Sequence, residues 1–200
     1  MYSLQVLKSL DGQPANGYSV NVATAIVVKD GKPAPDGTDV SFTLQAGTQA
    51  LFANNQKAIT VKVSGGQGHA AVTFSDRKRE GETAELTVRV DTVSALQSFA
   101  FLSEDTPVRI TLSGVRPGGL MPKGQKLNAA GSGLPALTVC VGQAPVFAIP
   151  DGGNATVRAD WTWETPLPVI TDKSGEQAIW LTAFENSELF AMQHIRYMVS

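Results

Sequence analysis

The 200-residue sequence is poor in most of the side chains from which catalytic chemistry is built. It holds one cysteine, two histidines and charged residues amounting to only 17% of the chain. A lone cysteine, Cys140, excludes an internal disulfide and leaves too few soft ligands for a structural zinc site. Its setting, Leu137-Thr138-Val139-Cys140-Val141, is strand-like, and there it reads as a small buried hydrophobe. No apolar run reaches the ~18 residues that a membrane span needs. The N-terminal residues Met1-Tyr2-Ser3-Leu4-Gln5 lack a basic stretch followed by an apolar core, so no signal peptide is expected. Charge of one sign is missing too. The net charge is −2, with 9 basic and 10 acidic residues up to position 104 and 7 and 8 beyond it. Neither part has the basic footprint of a nucleic-acid binder, and no nucleic-acid partner is expected. The one basic cluster, Arg77-Lys78-Arg79, is flanked by Asp76, Glu80 and Glu82 and reads as a solvated turn.

Helical periodicity is also absent. In its place are Val 20 and Thr 17, against Lys 9 and Glu 8, with Gly 19 and Pro 11 as turn formers. That composition favours short strands. Val20, Val22, Thr24, Ile26 and Val28 share one strand face, which ends at the turn Lys29-Asp30-Gly31-Lys32-Pro33. Val40-Phe42-Leu44, Ile59-Val61-Val63, Ala70-Val72-Phe74, Leu86-Val88-Val90 and Phe99-Phe101 repeat the period of two. About seven strands in about 100 residues is a β-sandwich count, although chain order alone also allows a barrel. A Glu-Asp-Thr-Pro break leads into the fresh strand Thr106 to Leu112, so two domains are expected, 1–104 and 105–200.

Three stretches of the first half carry a family likeness. They are Ala15-Asn16-Gly17-Tyr18, Val28-Lys29-Asp30-Gly31-Lys32-Pro33, and Asp36-Gly37-Thr38-Asp39-Val40-Ser41-Phe42-Thr43-Leu44. With Gly68-His69-Ala70-Ala71-Val72-Thr73-Phe74 and Gly81-Glu82-Thr83-Ala84-Glu85-Leu86-Thr87-Val88, they resemble the bacterial immunoglobulin-like domain repeated in invasin- and intimin-type adhesins. The likeness covers about residues 10–95. It implies a rigid extracellular spacer or binding module in an immunoglobulin-like sandwich, and it disfavours the barrel. It supplies no receptor-contacting residue. Nothing in the chain resembles the membrane barrel of those adhesins, and one cysteine cannot make the disulfide of their lectin-like cap.

The second half matches no family by inspection. Residues 113–135 hold glycines at 114, 118, 119, 124, 131 and 133 and prolines at 117, 122 and 135. This reads as a long Gly/Pro-rich loop, either a mobile connector or a functional segment with Leu120-Met121-Pro122 as an apolar tip. Strands are expected over 137–141, 146–149, 155–163, 169–171, 177–183 and 188–198. A weak echo links Ser174-Gly175-Glu176-Gln177-Ala178 to Ser64-Gly65-Gly66-Gln67-Gly68. The expected fold is therefore all-β, an immunoglobulin-like sandwich followed by a second sandwich-like unit.

No catalytic constellation stands out. His69 reads as a plain strand residue, and His194, sharing a face with Met192 and Arg196, as a rim residue or a pH sensor. Asp160, Glu164 and Asp172 near the tryptophans would allow a glycosidase-like carboxylate pair, but such residues are routine at the strand ends of inert sandwiches. Asp151-Gly152-Gly153-Asn154 lacks the oxygen ligands of a calcium loop and reads as a β-turn. Neither metal nor cofactor is expected. Trp161-Thr162-Trp163 places both indoles on one strand face. An inner face would make them core, as their alternation with Arg158, Asp160 and Thr162 favours; an outer face would make them a stacking platform. The expected function is non-enzymatic binding of a protein or glycan receptor at a cell surface, by an exported or surface-displayed chain. The candidate contact residues are Arg116, Leu120, Met121, Lys123, Trp161 and Trp163. A structural component of a phage tail or secretion assembly, and a secreted toxin-like protein, remain as alternatives.

Overall fold

Alternating β-branched and polar residues build strands because successive side chains leave a strand on opposite faces. Strands are what the chain forms. In the computed structural model, which describes residues 1–152 and 154–200, every regular element among the described residues is a strand. The chain divides into two units, Met1–Thr106 and Pro107–Ser200.

The first unit contains β1 (Tyr2–Leu10), β2 (Gln13–Pro14), β3 (Val20–Lys29), β4 (Lys32–Pro33), β5 (Asp39–Leu44), β6 (Leu51–Phe52), β7 (Ala58–Lys62), β8 (His69–Ser75), β9 (Glu82–Val90) and β10 (Val93–Leu102). One sheet runs β1-β3-β8-β6 with β4 beside β3, and the other runs β2-β10-β9-β5-β7. Between them lie Val40, Phe42 and Leu44 of β5, Leu86, Val88 and Val90 of β9, and a group of phenylalanines. Phe74 meets Phe52, Phe99 and Phe101 edge-on, with ring centroids 6.0, 5.0 and 5.9 Å apart. The row Val20, Val22, Thr24, Ile26 and Val28 does share a face of β3, but Ala23, Ala25 and Val27 on the other face are the residues that join this core.

Strand β1 has no counterpart among the expected strands. Its Tyr2, Leu4 and Val6 alternate with exposed residues and are only partly buried against the core, as befits an edge strand. It pairs antiparallel with β3 and then crosses to the other sheet, where β2 lies parallel to β10. Asp11 and Asn21 hold that crossing. Asp11 Oδ1 accepts from the Gly12 and Ala100 amides at 2.9 and 2.8 Å, and Asn21 accepts from Gln13 N while donating to Ala100 O.

The second unit contains β11 (Ile110–Leu112), β12 (Leu120–Met121), β13 (Asn128–Gly133), β14 (Thr138–Gly142), β15 (Asn154–Thr156), β16 (Thr162–Pro168), β17 (Gly175–Glu185) and β18 (Glu188–Val199). A three-stranded sheet, β11-β13-β16, faces a five-stranded one, β12-β18-β17-β14-β15. The same device recurs: the short β12 leaves the first sheet and lies parallel to the last strand, β18. The core is formed by Ile110, Leu137, Val139, Trp163, Ile179, Leu181, Ile195 and Tyr197 among others.

Several expectations for this half need correction. The strand expected over 155–163 is two strands in different sheets, divided by a turn, and no strand forms over 146–149 or 169–171. The echo between 174–178 and 64–68 joins unlike positions. β17 is the penultimate strand, flanked by β14 and β18, and corresponds to β9 and not to β8. The pairing of β13 with β16 slips where Asn128 faces Pro168 but Ala129 faces Thr165. Pro166 lies within that slip and has no N–H to give the ladder; β16 tolerates it as an edge strand.

Candidate functional site

Residues 113–135 are not an open loop. They run from β11 through β12 to β13 and are tied down by backbone bonds along most of their length. Gly118 N donates to Arg196 O at 2.7 Å, Met198 N to Gly119 O at 2.9 Å, Ser200 N to Met121 O at 3.0 Å, and Gly124 N to Thr171 O at 2.7 Å. The glycines serve turns and close approaches more than mobility. Gly131 shows this best: a Cβ there would collide with the Thr111 carbonyl oxygen and come within 2.9 Å of Trp163 Cε2.

This geometry divides the candidate residues. Met121 is buried, because the two residues of β12 point to opposite sides and Met121 takes the inner one. Leu120 is 72% exposed on the outer side, beside the partly exposed Met198 that pairs with it. Arg116 and Lys123 are exposed in the turns on either side of β12.

The two tryptophans do not share a face. Trp163, on β16, is 1% exposed, and its Nε1 donates to Thr111 O at 3.2 Å, so it belongs to the core. Trp161 is 55% exposed and lies outside the strand, with φ at 68°. A period of two does not hold here because Trp161 sits in the turn that carries the chain from one sheet to the other. Its N–H donates to Arg158 O at 3.0 Å, and Arg158 N donates to Thr162 O at 2.8 Å. Asp160 Oδ1 accepts from both Thr162 N and Thr162 Oγ1, at 3.1 and 2.6 Å. These two bonds, with Arg158 nearby, hold the Asp160 carboxyl below the ordinary range. Asp160 is thus a turn-locking residue, and Glu164 and Asp172 are exposed.

His194 is half-buried and stacks on its cross-strand partner Trp180, with ring centroids 4.1 Å apart and planes 6° from parallel. Burial first, then the Arg196 charge, lowers its pKa to about 4. It stays neutral through the physiological range, which corrects the reading of it as a solvent-facing rim residue or a sensor near neutrality. His69 opens β8 as a half-buried strand residue. Cys140 is buried, its thiol donates to Asn154 Oδ1 at 2.9 Å, and burial raises its pKa. Asn154 also donates to Pro150 O, so its side chain is already engaged; Gly153 of the expected turn lies outside the described residues. Among the described residues no group of three His, Cys, Asp or Glu side chains is placed to hold a metal ion.

One cluster escapes the sequence reading entirely. Asp76, which the sequence places in a solvated turn, is 0% exposed. Lys78 N donates to its Oδ1 at 2.5 Å, whereas Oδ2 has no donor to accept from. The neighbouring acid, Glu82, accepts from Thr48 Oγ1, from Gln49 N at 2.5 Å and from Lys78 Nζ at 3.4 Å. Lys57 lies nearby, donating to Thr48 O and to Ala50 O. Protonation of Asp76, which gives Oδ2 a hydrogen to donate toward Glu82, would satisfy it at acidic pH. Burial first and then that bond raise Asp76 to about 6, while bonds from Asp76, Thr48, Gln49 and Lys78 outweigh desolvation and lower Glu82 to about 2. The only sequence signal is two acids, six positions apart, beside a basic triplet.

The paired sheets, the crossing first strand and its parallel seat on the last strand define a tandem of immunoglobulin-like β-sandwiches. The chain is similar to the bacterial immunoglobulin-like domains of adhesins. Its solved structural neighbours include the D0-D1 domain of intimin, at 15% identity over all of both chains with a TM-score of 0.42. Invasin, a bacterial integrin-binding protein, matches at 16% identity over all of this chain and 39% of that one, TM-score 0.42. The Yersinia pseudotuberculosis adhesin InvE matches at 16% identity over all of this chain and 58% of that one, TM-score 0.37. The chain thus spans less than two thirds of the invasin and InvE chains. No family model and no curated protein matches the sequence.

Proposed function

We propose that the chain is a non-enzymatic, adhesin-like binding module, exported or surface-displayed, that engages a protein or glycan receptor on a cell surface. The observation that carries this reading is Trp161. Leaving a large indole 55% exposed while holding it in the left-handed region is unfavourable for folding on both counts. A turn locked by Asp160, Thr162 and Arg158 nevertheless keeps it there. Strain of this kind recurs at ligand-contacting sites, and an exposed indole offers a flat face to a sugar ring or to an apolar side chain. Leu120, Arg116 and Lys123 form a second exposed set around β12, and Met121 and Trp163 act by shaping the core behind these surfaces.

The test is binding of the purified chain to a glycan array and to intact cells, with Trp161→Ser and a Leu120→Ser, Lys123→Ser double variant alongside. Binding that is lost in Trp161→Ser, with unchanged thermal unfolding, supports the reading. Binding that survives in Trp161→Ser and is lost in the double variant moves the site to β12. Absence of binding to any surface refutes an adhesin-like role. A stable symmetric oligomer would then favour a component of a phage tail or secretion assembly, and leakage of lipid vesicles a toxin-like protein.

A further inference from the structure

Strand β14 ends at Gly142, opposite Trp180, whereas β17 begins at Gly175. Residues 175–179 of β17 therefore pair with β18 on one side and have no ladder partner from β14 on the other. At this notch lies a cavity of about 330 Å³ lined by Val141, Gly142, Gln143, Ile170, Ala178, Ile179 and Tyr197. Ile179 points into the core and Ala178 points to the opposite face of the sheet. A cavity that touches both lies against the edge of the strand. None of the described backbone bonds outside the sheets reaches residues 177–179.

The lining decides the chemistry. It contains no charged side chain, and the Tyr197 hydroxyl is already committed to Ile170 O at 2.8 Å. Gln143, exposed, is the one side-chain amide at the mouth. A carboxylate, a phosphate or a sugar would be stripped of water there without replacement bonds. An uncharged apolar side chain fills such a space well. The bare strand edge supplies what an extended peptide backbone requires, continuing the sheet where β14 stops.

We propose that this notch is a peptide-binding site: a short extended segment of a partner protein adds to the edge of β17 beyond Gly142 and inserts one apolar side chain into the cavity. The site is separate from Trp161 and does not depend on the role assigned to it.

The test uses the whole chain and the capped peptide acetyl-Ser-Thr-Phe-Thr-Ser-amide, with versions carrying Leu or Ser at the centre, and the Phe peptide N-methylated at its three central residues. Binding is read from amide NMR shifts at Gly142, Ala178 and Ile179. The Phe or Leu peptide is expected to shift these amides at millimolar concentration. The Ser and N-methylated forms should bind at least about tenfold more weakly, for loss of the apolar anchor and of the strand bonds respectively. Gly142→Leu blocks the cavity and abolishes binding; its backbone is outside the left-handed region, and a Cβ there meets nothing nearer than Ala144 O at 3.8 Å. Ala178→Phe, which fills the mouth with a bulky ring, does the same and serves if the first variant fails to fold. Trp161→Ser leaves peptide binding unchanged. The proposal is overturned if no peptide shifts these amides, if N-methylation makes no difference, or if both cavity variants bind like the parent.

Discussion

Asp76→Asn should make the first unit more stable at neutral pH, which is an unusual outcome for removing a buried charge. In the native protein Asp76 is fully buried, and one of its oxygens lacks a donor unless the carboxyl is protonated. Its pKa is raised from 3.8 to about 6. A raised pKa in the folded state means that the protonated form stabilises the fold. That contribution is complete below pH 3.8 and is lost as pH rises through about 6. Each tenfold change in proton affinity is equivalent to ~1.4 kcal/mol, so the loss reaches about 3 kcal/mol by pH 7.5. For a unit of this size that is on the order of 10 °C in Tm. Asparagine keeps the acceptor for Lys78 N and a permanent donor toward Glu82, so it removes the loss. Glu82 sets the lower limit. Its pKa is lowered to about 2, so its contribution is present above 4.5 and disappears as pH falls through 2. The first unit should therefore be most stable near pH 4 to 5. Differential scanning calorimetry from pH 3 to 8 measures this. All three tryptophans, 161, 163 and 180, lie in the second unit. The relevant transition is thus the one seen by calorimetry and silent in tryptophan fluorescence. If Asp76→Asn lowers that transition at pH 7.5, or leaves its pH dependence unchanged between 4 and 7.5, the shared-proton account is wrong.

Two further outcomes follow from the second unit. Gly131→Ala forces a methyl into the Thr111 carbonyl and the Trp163 ring, so the β11–β13 pairing opens. Red-shifted tryptophan emission and loss of the second unit's transition, with the first unit's retained, are expected; native emission would refute the close approach. His194, lowered from 6.5 to about 4, contributes stability above pH 6.5 that is lost as pH falls through about 4. Its ring resonances should stay constant between pH 6 and 8, and a midpoint near 6.5 would show that the Trp180 stack does not bury it.

Much of the fold can be read directly. Val40-Phe42-Leu44 and Leu86-Val88-Val90 lie fully in the core because alternation maps onto strand faces wherever a strand is regular. Turn chemistry at Lys29-Asp30-Gly31-Lys32 is equally plain, with Asp30 and Gly31 both in the left-handed region. Alternation fails where the chain leaves a strand. At Trp161 a single left-handed residue separates two tryptophans that a period of two places together. In 113–135 the glycines signal flexibility but instead permit tight crossings, since composition cannot distinguish a Gly that moves from one that makes room.

Residue order over short windows makes this chain all-β, alternates inner and outer residues along its strands, and carries the resemblance of its first half to an adhesin-type immunoglobulin-like domain. These properties are local, set by side-chain period and turn residues within a few positions. The tertiary structure alone decided which strand edges stay open, which acids meet and which tryptophan is presented. Asp76 and Glu82 meet beside Thr48 and Gln49, which come from a distant part of the chain. The notch at Gly142 exists because two paired strands end at different heights. Such facts depend on where separate elements stop relative to one another, and no short window of sequence contains that distance.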